Sequence, residues 1–106
     1  MATARFSETV TGEVRDGVLV VTIDNPAVNA LSADVRAGLM AALDDAEASA
    51  DIVGLTVPGA GRIFIGGADI REFGKPPIEP HLPDVLDRIE GFAKPVVAAV
   101  NGAALG

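Results

Sequence analysis

Three short runs of branched apolar residues, set apart by segments of a different period, constrain this chain more than any other feature. They are Val18-Leu19-Val20-Val21-Thr22-Ile23, Ile52-Val53-Gly54-Leu55-Thr56-Val57 and Val96-Val97-Ala98-Ala99-Val100. Each is too short for a helix and apolar on both faces, the pattern of a strand covered from both sides. Between the first two, Val35, Leu39, Leu43 and Ala46 recur at helical spacing, with Asp34, Arg36, Asp44, Asp45 and Glu47 mostly elsewhere. That spacing predicts an amphipathic helix over residues 33–50 with Ser32 as its N-cap. Gly38 costs such a helix about 1 kcal/mol against Ala, and its missing side chain would let the helix lie close on a sheet. Val85, Leu86, Ile89 and Phe92 mark a second helix before the last run. Strands separated by helices join by right-handed crossovers, so an α/β architecture with a parallel sheet is expected.

Asp16-Gly17 is a turn signal between Glu13-Val14-Arg15 and the first run, which predicts an antiparallel hairpin at the start. Asp24-Asn25-Pro26 ends the second hairpin strand, because Pro26 has no N–H and holds Asn25 extended. Pro76, Pro77 and Pro80 exclude a regular element from the stretch that holds them.

The balance of residues narrows the class. The 106 residues are 49% hydrophobic and 22% charged, which suits a folded globular unit rather than a disordered one. A net charge of −7 argues against wrapping nucleic acid, which needs Lys and Arg against phosphates. The absence of cysteine excludes disulfides and thiolate chemistry. The first eight residues lack the apolar core of a signal peptide, and no apolar run is long enough to span a bilayer. The expectation is a soluble, cytoplasmic protein with no nucleic-acid or membrane partner. No repeat or linker divides the chain, so residues 1–106 read as one unit.

The stretch Arg62-Ile63-Phe64-Ile65-Gly66-Gly67-Ala68-Asp69-Ile70 is where chemistry is expected. Adjacent glycines between a strand and a helix leave backbone N–H groups bare, able to meet an anion or a developing oxyanion. Ala68 keeps the approach open, and Asp69 stands where an N-cap supports a short helix through Phe73. Taken alone, a glycine pair is more often an ordinary turn, and both readings stand at this level. Nucleotide loops fail on spacing. Gly61 and Gly66 have the gap of a Walker loop, but Gly67 and Ala68 replace its Lys and Ser/Thr; Gly59-Ala60-Gly61 lacks the third glycine of a dinucleotide fingerprint. His81, the single histidine, reads as a solvated loop residue. Asp44, Asp45 and Glu47 read as a solvated helix face, with spacing wrong for an oxygen-ligand metal loop. Neither Glu72 nor Glu90 is assigned to catalysis. Arg5, Arg15, Lys75 and Lys94 are the cations open to a phosphate.

Three segments together resemble the first part of the crotonase superfamily, the enoyl-CoA hydratase/isomerase enzymes. They are Asp24-Asn25-Pro26-Ala27-Val28-Asn29-Ala30-Leu31-Ser32, Phe64-Ile65-Gly66-Gly67-Ala68-Asp69-Ile70, and Lys94-Pro95-Val96-Val97-Ala98-Ala99-Val100-Asn101-Gly102-Ala103-Ala104-Leu105-Gly106. The likeness runs from about Gly17 to the end. Phe73-Gly74-Lys75-Pro76-Pro77 further resembles the hydratase/isomerase portion of multifunctional β-oxidation enzymes that carry a 3-hydroxyacyl-CoA dehydrogenase region.

The resemblance implies an α/β chain that is the N-terminal portion of a crotonase-like ββα-type spiral fold, incomplete at its C-terminus. It implies an acyl-CoA thioester as substrate, hydrated or isomerised through an enolate, and the Gly66 N–H as one oxyanion donor. The family often has Ala at that position, and a backbone donor survives the change. Gly66, Gly67, Ala68 and Asp69 would line the substrate site, with Asp69 structural rather than acidic catalyst. The second donor and the acid/base glutamates would lie just beyond Gly106, leaving these residues alone inactive. No metal and no resident cofactor are implied; NAD would enter only with a downstream dehydrogenase region. Homo-oligomers occur among such proteins. A non-catalytic binding or assembly module of the same fold is the alternative.

Overall fold

A computed structural model of the chain describes residues 3–26, 29–58, 63–65, 67, 69–72, 74–99 and 103–104. The elements in order are strands β1 (Thr3–Arg5), β2 (Val10–Arg15) and β3 (Val18–Ile23), helix α1 (Ala33–Ala48), strands β4 (Gly54–Pro58) and β5 (Ile63–Ile65), a 3₁₀ turn (Ile70–Glu72), helix α2 (Leu82–Glu90), and strands β6 (Val96–Ala99) and β7 (Ala103–Ala104). One five-stranded sheet runs β1-β2-β3-β4-β6, and β5 pairs with β7 in a second sheet.

The hairpin forms as its turn chemistry demands. Asp16 and Gly17 both take positive φ, 50° and 82°, as a tight two-residue turn between twisted strands requires. The register follows, with Arg15 opposite Val18 and Val10 opposite Ile23. β4 lies parallel to β3, and β6 parallel to β4, as crossovers through helices require. The sheet is therefore mixed, antiparallel through β1–β3 and parallel from β3 to β6.

Ser32 caps α1: its backbone is extended and its Oγ accepts the Val35 N–H. The helix ends at Ala48, two residues short of the expected limit. Lys94 fills the place of a cation near that end by donating to the carbonyls of Ala46 and Ser49, where a helix presents its negative pole. Gly38 lets α1 settle on the start of β2, for a Cβ there would lie 2.5 Å from Val10 Cβ.

Both helices pack on the same sheet face. Leu19, Val21, Ile23 and Leu55 meet Val35, Leu39 and Leu43 of α1 and Val85 of α2 in one core. Each such side chain withdrawn from water contributes about 1.5–3 kcal/mol. The other face corrects the expectation of two-sided burial. Val20, Thr56 and Val97 lie in register across it; the first two are half-buried and Val97 is 57% exposed. The apolar runs thus become strands with one face covered by helices and a second face only partly covered among the described residues. No helix among the described residues is long and apolar enough to cross a membrane.

Candidate functional site

The turn that leads from β3 into α1 is held by its two asparagines. The Asn25 N–H donates to Asn29 Oδ1 and the Asn29 N–H to the Asn25 carbonyl, both at 2.8 Å, while Asn25 Nδ2 reaches the Ala30 carbonyl. Asn29 is buried with φ of 51°, a left-handed backbone that asparagine tolerates better than most residues. The turn thereby presents the Leu31 N–H outward from its own hydrogen bonding. It donates to the Gly67 carbonyl at 2.7 Å. The first two segments of the family resemblance are thus tied together directly.

β5 and β7 bring the second and third segments side by side. They pair in parallel, Ile63 with Ala103 and Ile65 with Ala104. Parallel strands run toward the same end, so the stretches following Ile65 and Ala104 start from neighbouring points. Gly66 and Ala68, two of the four expected site residues, lie outside the described residues, as do Leu105 and Gly106. Gly67 is buried with φ of 99°, a conformation for which glycine alone carries no Cβ penalty.

Asp69 is buried, and its carboxylate is fully engaged. Oδ1 accepts the N–H and Nε of Arg71 at 3.0 Å each, and Oδ2 accepts Nη2 at 2.8 Å. The bonds from Arg71 hold the carboxyl below its ordinary 3.8 against the opposing pull of burial. A carboxylate so held is ionised at neutral pH and is a poor proton donor. Asp69 Oδ1 on the Arg71 N–H and the Asp69 carbonyl on the Glu72 N–H open a 3₁₀ turn over Ile70–Glu72, while Ala68 and Phe73, the ends of the short helix expected there, lie outside the described residues.

Arg36 is the site residue that pattern reading missed. It was placed on the polar side of α1, yet it is 7% exposed. Its Nε donates to the Pro80 carbonyl at 2.7 Å, Nη1 to the Leu31 carbonyl at 2.8 Å, and Nη2 to the Ile78 carbonyl at 3.0 Å. Nη2 also stands 3.0 Å from Glu72 Oε1, and Glu72 Oε2 accepts the Ala33 N–H at 2.9 Å. One signal was available: a cation near the N-terminal turn of a helix opposes the helix dipole, so its placement asks for a local partner. Arg36, Asp69 and Glu72 line a cleft of about 450 Å³ with Lys75, Ile78 and His81.

The other candidates divide clearly. Arg5 donates to the Glu8 carbonyl, Arg15 pairs with Glu13, and Lys94 caps α1; Lys75 stands exposed on the cleft. His81 is at the N-cap of α2, half-exposed and 3.7 Å from Asp84. Asp44, Asp45 and Glu47 are exposed as expected, and Arg88 links Asp44 and Glu47 to α2 at 2.9 and 2.8 Å. Glu72 pairs with Arg36 and accepts the Ala33 N–H.

Comparison with known proteins assigns the family and the fold. The family model for enoyl-CoA hydratase/isomerase matches residues 13–106. The peroxisomal bifunctional enzyme of Danio rerio is 43% identical over 88% of this chain and 13% of its own length. The glyoxysomal fatty acid beta-oxidation multifunctional protein of Brassica napus is 40% identical over 97% of this chain and 16% of its own. An enoyl-CoA hydratase/isomerase from Pseudoalteromonas atlantica superposes with a TM-score of 0.79 at 27% identity, covering 90% of this chain and 39% of that one. The chain therefore spans less than half the length of each of these proteins. With its α/β fold, its pairing of β5 with β7 and a family match over residues 13–106, the chain belongs to the enoyl-CoA hydratase/isomerase family, in the N-terminal region of the crotonase-like fold.

Proposed function

We propose that this chain forms part of an active site that binds an acyl-CoA thioester and hydrates an enoyl-CoA, or moves its double bond, through an enolate in fatty-acid β-oxidation. The parallel pairing of β5 with β7 supports the reading, because it sets the strand that precedes Gly66-Gly67 beside the strand that precedes Leu105-Gly106. The Gly66 N–H supplies one oxyanion donor, and Gly67, Ala68 and Asp69 line the thioester and CoA path. Adding water to the double bond builds negative charge on the thioester oxygen, and losing one preorganised donor to such a charge costs about 2.7–4 kcal/mol. The Gly67 carbonyl, which accepts the Leu31 N–H, anchors the residue next to that donor. Of Arg5, Arg15, Lys75 and Lys94, we assign Lys75 to a CoA phosphate, since the other three make the contacts described above.

Proton transfer at the neighbouring carbons needs a carboxylate of suitable pKa. Asp69 is bonded to Arg71, and Glu72 to Arg36 and Ala33; by the family resemblance the acid/base glutamates lie beyond Gly106. A second, NAD-dependent step belongs only to a protein that also carries a dehydrogenase region.

Turnover of crotonyl-CoA tests the reading. The enzyme carrying this chain is expected to hydrate it, and Gly66→Val, which puts a branched side chain over the donor, is expected to lower kcat about 10²–10³-fold. The 106 residues alone are expected to show no turnover. Unchanged kcat in Gly66→Val removes the oxyanion assignment.

A further inference from the structure

Arg36 closes a ring of contacts around the glycine segment. Its guanidinium reaches the carbonyls of Leu31, Ile78 and Pro80 and the carboxylate of Glu72. The Leu31 N–H in turn holds the Gly67 carbonyl, and chain connectivity returns from Gly67 through the 3₁₀ turn to Glu72. Glu72 completes the circuit on both Arg36 and the Ala33 N–H. Every step is covalent or hydrogen-bonded, so both ends of the segment are tied to the α1 turn, Gly67 through Leu31 and Glu72 through Arg36 and Ala33. Arg suits the place because its planar fork serves several acceptors at once, which an ammonium on a flexible stem does not.

We infer that Arg36 and Glu72 are positioning residues for the acyl-CoA site: they hold the Gly67–Glu72 segment on the α1 turn and fix the proline loop through Ile78 and Pro80. The inference rests on the functional reading above for what is positioned, and on the hydrogen bonds alone for how. Neither residue touches the reacting atoms.

Two mild variants test it, Arg36→Lys, which keeps the charge without the fork, and Glu72→Gln, which keeps the shape without the charge. Amide hydrogen exchange on the chain is expected to accelerate at least about tenfold at Leu31, the donor to Gly67, by local opening. Leu55, whose N–H donates to the Pro95 carbonyl in the sheet, is expected to keep its rate. Unchanged exchange at Leu31, or equal acceleration at both amides, overturns the ring. In the enzyme carrying this chain, both variants are expected to lower kcat about tenfold with KM for the CoA ester little changed, the mark of lost alignment rather than lost binding. Faster Leu31 exchange with wild-type kcat overturns the positioning role. A wild-type enzyme inert toward acyl-CoA removes the functional reading instead, and the exchange result still decides whether the pair holds the segment.

Discussion

Single side chains set the acid limit of this fold. The carboxyl of Asp69 is pulled below 3.8 by the Arg71 bonds. Burial pulls Asp34 upward, but hydrogen bonds from the Thr9 hydroxyl and N–H outweigh it and leave that carboxyl lowered too. A carboxylate whose folded pKa is depressed contributes stability above its unfolded value and loses it as pH falls through the folded one. Urea midpoints should therefore hold steady down to about pH 4 and drop below it. Asp69→Asn is expected to lower the midpoint at pH 7 and flatten the acid drop; a drop as steep as wild type contradicts the assignment. Ser32→Ala, which removes the acceptor for the Val35 N–H, should cost about 1 kcal/mol in the same measurement. Ser32 was legible in the sequence because a cap is a local feature. Arg36 was not, because its partners Ile78 and Pro80 lie more than forty residues away and no helical period announces them.

Elements long enough to show a period were readable, and shorter ones were not. β3, β4, β6, α1 and α2 overlap the apolar runs and helical spacings that mark them, although β4 starts at Gly54 rather than Ile52 and α2 ends at Glu90, before Phe92. β1, β5 and β7 have three, three and two residues, too few for any pattern, and their pairing is settled only by the rest of the fold. The full burial expected of β6 failed for a related reason: an apolar run reports what a strand avoids, not which neighbour covers it. Gly38 shows two effects of opposite sign at one position. Ala there gains about 1 kcal/mol of helix propensity, but its Cβ would meet Val10 Cβ and Ser7 Oγ at 2.5 Å. Overpacking of that kind costs about 1–3 kcal/mol, so Gly38→Ala should destabilise the chain on balance. A rise in the denaturation midpoint would show that α1 lies farther from β2 than described.

For the molecule as a whole, topology does what composition cannot. The segments that carry the family likeness are spread from Asp24 to Gly106, and the fold gathers them: Leu31 onto Gly67, and β5 beside β7. Glycine pairs and an asparagine turn were visible in the sequence, but their convergence was supplied by resemblance, since spacing along a chain says little about contacts across it. The most direct test is the backbone amide signal of Gly66 in the enzyme carrying this chain, followed by NMR during titration with acetoacetyl-CoA, whose enolate resembles the proposed intermediate. A downfield shift of that amide proton that saturates with ligand binding is expected, as a strong hydrogen bond to an oxyanion requires. Saturated binding with the Gly66 resonance unmoved would contradict it.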